Sequence, residues 1–108
     1  MAELNQKNKA VLLKMLENNL ELYLSYYDSE AKERKENELM TYIQASIRFI
    51  EREGITLDLE DIGDNTLVVM YASWLYDKRK DGVAIMPRML RYNLDNRLFD
   101  EKVKEYVW

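Results

Sequence analysis

The ten residues Leu67-Val68-Val69-Met70-Tyr71-Ala72-Ser73-Trp74-Leu75-Tyr76 constrain this chain more than any other stretch. They are apolar nearly all the way round a helix, a pattern that in a soluble protein means burial on several sides. The segment predicts a central helix from near Asp64 to about Lys80, with other helices packed round it. The charged run Asp77-Lys78-Arg79-Lys80 then leaves the core, and Asp81-Gly82 turns the chain.

The flanking segments supply the neighbours. Val11, Leu12, Met15, Leu16 and Leu20 recur at helical spacing, which predicts a first helix over about Lys7 to Asn19. Leu20 to Tyr27 fits both an alternating extended segment and a helix, and is read as a connector. Asp28-Ser29-Glu30 supplies N-cap chemistry for a second helix, from Ser29 to Glu53. Its apolar stripe is Leu39, Ile43, Ile47 and Ile50, widened by Tyr42 and Phe49, and Gly54 closes it. Ile55 to Asn65 alternates briefly and then gathers capping residues, the mark of a loop before a helix. Pro87 suits a first helical turn, so a fourth helix is expected from Pro87 to Leu98, with Met86, Met89, Leu90, Leu94 and Leu98 as its apolar face. Arg88, Arg91 and Arg97 then remain available to solvent or partners. The fold class expected is all-α, a small bundle of about four helices with a buried central third helix. Its core is expected to comprise Leu39, Ile43, Ile47, Ile50, Val68, Tyr71, Ala72, Leu75, Leu90 and Leu94.

A length of 108 residues fits one domain. It divides into a helical lead-in with a tyrosine-rich link (1–28), core helices (29–98) and a C-terminal tail (99–108), mobile unless something holds it. No stretch approaches the roughly 20 apolar residues of a membrane span, and the first residues lack the apolar core of a signal peptide, so a cytoplasmic protein is expected. The absence of cysteine and histidine removes disulfides, thiolate and imidazole metal ligands and the common nucleophile systems. Gly54, Gly63 and Gly82 are too scattered to write a phosphate-cradling loop. No catalytic residue, cofactor or metal is expected.

Charge is unevenly spread. Met1 to Leu75 carries a net −6, with 8 basic and 14 acidic residues, whereas Tyr76 to Lys104 carries a net +3, with 8 basic and 5 acidic ones. Opposed charge suits a head-to-tail contact between copies, although solvated faces look the same. Lys78, Arg79, Lys80, Arg88, Arg91 and Arg97, near Tyr92, are clustered enough to neutralise phosphates, while the pI of about 4.9 argues against tight duplex binding. Asp58, Glu60, Asp61 and Asp64 resemble a cation loop, but Ile62 and Val69 fall where oxygen ligands belong, so capping and a solvated loop explain them better.

Four features stand in order from Tyr42 to Phe99: a helix ending Tyr42-Ile43-Gln44-Ala45-Ser46-Ile47-Arg48-Phe49-Ile50, an acidic loop, the apolar Tyr71-Ala72-Ser73-Trp74-Leu75-Tyr76, and Pro87-Arg88-Met89-Leu90-Arg91-Tyr92. In this order and spacing, over just over half its length, the chain resembles the head-to-tail connector family of tailed bacteriophages. The N-terminal helix and tyrosine-rich link depart from that family's shorter lead-in. The resemblance implies a helical bundle without catalytic residues, assembled as a homo-oligomeric ring against the phage portal and the tail or neck proteins. DNA would pass through the ring without sequence-specific binding, and the protein would be made in the bacterial cytoplasm and end in the virion neck.

The residues expected to contact partners are Arg88, Arg91, Phe99, Tyr106 and Trp108. The terminal pair either anchors the tail in a neighbour's groove or packs back on its own subunit. The competing expectation is a small helical regulator that binds DNA as a dimer through its basic C-terminal helix, in a helix-turn-helix with an unusually long turn.

Overall fold

The computed structural model describes residues 3–82 and 85–105. Among these, the chain forms four α-helices and no strand: α1 (Gln6–Asn19), α2 (Ser29–Arg52), α3 (Ile62–Asp81) and α4 (Arg88–Glu105), with a single 3-10 turn at Leu24–Tyr26. The protein is a small all-α bundle, elongated to 54 × 31 × 18 Å. α3 packs on each of the other three helices and is the centre of the bundle, as its run of apolar residues requires.

Helix starts follow side-chain capping. Asn5, Asp28 and Asp61 each accept a hydrogen bond from the amide three residues on, at Asn8, Ala31 and Asp64. The cap at Asp61 starts α3 at Ile62, a little before the position expected from the sequence. At the other end of α3, Gly82 takes a left-handed conformation (φ 75°) and donates to the Lys78 carbonyl. α1 stops without a glycine. Glu21 adopts the left-handed conformation instead (φ 55°), and the Leu22 amide reaches back to the Glu17 carbonyl at 3.0 Å. The tyrosine-rich link that follows is a connector: Leu24 is buried, while Tyr23, Tyr26 and Tyr27 are exposed.

The core joins Leu12 and Leu16 of α1, Leu39, Ile43, Ile47 and Ile50 of α2, Val68, Tyr71, Ala72 and Tyr76 of α3, and Leu90 and Leu94 of α4. Leu75, expected in this set, is only half-buried at its edge. The α2–α3 connection adds three plugs. Ile55, Leu57 and Leu59 are buried while Thr56, Asp58 and Glu60 between them are exposed, so the alternation read from the sequence is that of an extended segment laid across the bundle. Aromatic rings line the α2–α3 seam, with Phe49 stacked on Tyr71 and Tyr42 edge-on to Tyr76.

Two expectations fail at α4. The helix does not end at Leu98 but runs to Glu105, so residues 99–105 are helix and not a loose tail. An Arg97–Glu101 pair one turn apart, a bond from the Thr56 amide to Glu101, and Lys102 and Lys104 in the last turn all favour this continuation. Met89, expected on the inner apolar face, is 61% exposed. The inner face is Leu90 and Leu94, with Leu98 packed at its edge against the position a Cβ on Gly54 would occupy.

Candidate functional site

α4 has two faces with different chemistry. On the inner one, Arg97 ties three parts of the chain together. Its Nε and Nη2 donate to the two carboxylate oxygens of Asp64 at 2.8 and 3.2 Å, Nη2 also donates to the Thr56 carbonyl at 2.7 Å, and Nη1 donates to Glu101 at 2.9 Å. Asp64 in turn accepts from the Asp58 amide, and Glu101 accepts from the Thr56 amide. The planar guanidinium suits such forked bonding. The bond to Asp64 holds the Arg97 pKa above its ordinary value, with Glu101 adding to it. Burial opposes ionisation of Glu101, but Arg97 and the Thr56 amide outweigh it, so the carboxyl titrates below the usual carboxylate range.

This corrects two expectations. Arg97 is not left to solvent or partners: its side chain is only 16% exposed and Asp64 4%. Asp64 is not part of a solvated loop. Asp61 does cap α3, at the amide of Asp64, while Asp58 makes a local turn bond to the Glu60 amide. A signal for the knot was present in the sequence, because Arg97 and Glu101 fall on the same side of the helix as Leu90 and Leu94, where an ionised side chain needs a partner.

Arg91 is the second fastening. It clasps Glu53, at the end of α2, with both terminal nitrogens, Nη1 lying 3.3 Å from Oε2, and pairs with Asp95 one turn along its own helix. Its side chain stays 42% exposed, so part of it still faces outward. Arg88 is exposed at the start of the helix. The basic residues that looked like a phosphate-binding group are thus dispersed. Arg91 and Arg97 are engaged by carboxylates, and Lys78, Arg79 and Lys80 stand at the far end of α3, where Arg79 bonds the Tyr42 hydroxyl and Lys80 lies over the Tyr76 ring.

Among the described residues, the outer face of α4 is the largest run of exposed apolar side chains on one helix. Met89, Tyr92 and Phe99 are each about three-fifths or more exposed and Val103 is 42% exposed, with Asn96 between them. Phe99 is the one member of this stripe that the sequence marks for partner contact, and the structure adds Met89, Tyr92 and Val103 beside it. Their three- and four-residue spacing was the available signal. Tyr106 and Trp108 lie outside the described residues.

Beside α4 runs a cleft of about 870 Å³, lined by Asp58, Asp61, Asp64, Asn93, Arg97 and Asp100 among others. Among the described residues, no group of three or more acidic, histidine or cysteine side chains is placed to hold a metal ion, and no helix is long and apolar enough to cross a membrane. No family model matches the chain, and neither a curated protein nor a solved structure shows significant similarity to it.

Proposed function

We propose that the chain is a structural subunit that acts by binding other proteins through the outer face of α4, and that its setting is the head-to-tail connector of a tailed phage or prophage. The observation that carries the reading is the pairing of an exposed apolar face, Met89, Tyr92, Phe99 and Val103, with an inner face fastened at Arg91 and Arg97. An apolar surface held rigid before binding loses little conformational freedom on docking, which favours affinity. The connector setting rests on the sequence resemblance between Tyr42 and Phe99. In that setting the subunits form a ring below the portal, carry out no chemical step, and let DNA pass without reading its sequence. The sharing of Arg91 and Arg97 with internal carboxylates fits weak contact with DNA better than a recognition helix.

The test is to mix the purified chain with the portal ring encoded in the same genome and to image the product by electron microscopy. A second ring stacked on the portal is expected, lost or weakened by Phe99→Ser with helical content unchanged. A portal that stays bare at high concentrations of the chain would overturn the connector reading.

A further inference from the structure

We propose that the outer face of α4 pairs with the same face of a second copy, the two helices running antiparallel about a two-fold axis. Met89, Tyr92, Asn96, Phe99 and Val103 follow one another at steps of three, four, three and four residues. That is the spacing of a two-helix seam, in which alternate three- and four-residue steps keep one stripe facing the partner along the whole contact. All five are exposed, and they stand on the side of the helix opposite Leu90 and Leu94, so the described chain leaves them uncovered.

Charge decides the direction. Asp95 and Lys102 flank the stripe on one side and Asp100 on the other, all three exposed. Parallel helices would set Asp95 beside the partner's Asp100, like charge against like at both edges. Antiparallel helices set Asp95 against the partner's Lys102, and the symmetry repeats the contact. Asp95 already holds Arg91, whereas Lys102 forms no ion pair with any other described residue and is left to answer the partner's carboxylate. In this register Tyr92 meets the partner's Val103 and Asn96 meets the partner's Phe99. The two Asn96 amides then lie within one helical turn of each other across the axis, where they can satisfy one another. A polar residue at this one seam position fixes the register at some cost in stability.

The pair stands apart from the connector reading. A two-fold dimer has equivalent ends, while a connector in place meets different neighbours on its two sides, so in a phage neck the pair would be the form of the free subunit and would open on assembly.

The test is sedimentation equilibrium of the full chain over a wide concentration range, with circular dichroism as the control for folding. The parent should be a monomer–dimer equilibrium, and Phe99→Ser should shift it to monomer without loss of helix. Lys102→Asp and Asp95→Lys should each raise the dimer dissociation constant about tenfold, since two contacts change from attraction to repulsion. Mixing those two variants should restore pairing, because both contacts then join a lysine to an aspartate. A parent that stays monomeric, a dimer indifferent to Phe99→Ser, or a mixture that fails to pair would each overturn the proposal. None of these results bears on whether the chain binds a portal.

Discussion

Along α3 apolar residues point in nearly every direction and most are covered, whereas α4 carries them on two opposite faces and only one is covered. Neither helix has a single apolar side, and the two reach that state for different reasons. α3 is wrapped by α1, α2 and α4, so its composition is what a central position demands. α4 lies at the edge of the bundle, where one face suffices for folding, so the second face is surplus to the folding of the single chain. That surplus is what the proposed docking through the outer face would use.

Four measurements sharpen or break this contrast. Leu94 is fully buried on the inner face, and Leu94→Ala should cost about 3 kcal/mol in urea unfolding, from lost transfer energy and a residual cavity. A loss below about 1 kcal/mol would mean that the inner face is not the folding face. Arg97→Leu leaves the buried Asp64 carboxylate without its cation and should cost nearly as much, about 2 to 3 kcal/mol, with the Asp58 amide as the remaining partner.

The Glu101 contribution is smaller and depends on pH. Its folded-state pKa is lowered, so the stabilisation it gives is present above the ordinary carboxylate range and is lost as pH falls through the folded value. Glu101→Gln should therefore lower the urea midpoint at neutral pH, with the gap to the parent closing as pH is brought from about 5 to 3. A gap independent of pH would assign its role to packing. Smallest of all, Phe99→Ser on the outer face should change the stability of the dilute single chain by no more than about 0.5 kcal/mol. A loss comparable with that of Leu94→Ala would show that the outer face is covered by its own chain and would remove the contrast.

The elements that the sequence made legible are those whose signals are local. Asp28 and Gly54 bracket α2, and the run from Leu67 to Tyr76 announces a buried helix, because capping and periodicity are both read within a few residues. The link after α1 was ambiguous for a definite reason. The turn that ends the helix is made by Glu21 in a left-handed conformation, and nothing about a glutamate advertises it. The true end of α4 was obscured because residues 99–105 are held partly by Thr56, more than forty positions away. Arg97 likewise reads as a surface cation until Asp64 and the Thr56 carbonyl are brought beside it by the crossing of the connecting segment. The outer stripe was legible in spacing but was divided between the inner face and a supposed tail, since periodicity alone does not say which of two faces the bundle covers.

The Arg97 knot also bears on how the molecule comes apart. It binds α4 to the connecting segment at Thr56 and to the first turn of α3 at Asp64, while α1, α2 and the rest of α3 hold together through their own packing. Because Arg97 joins α4 to the segment from Ile55 to Asp61, release of α4, which also requires the Arg91–Glu53 clasp to open and Leu90 and Leu94 to leave the core, should loosen that segment with it, and the amides of both regions should exchange with solvent as one cooperative unit. The helix that bears the exposed apolar face is thus coupled to the connecting segment, and any partner that clamps it should slow the opening of that segment at a distance.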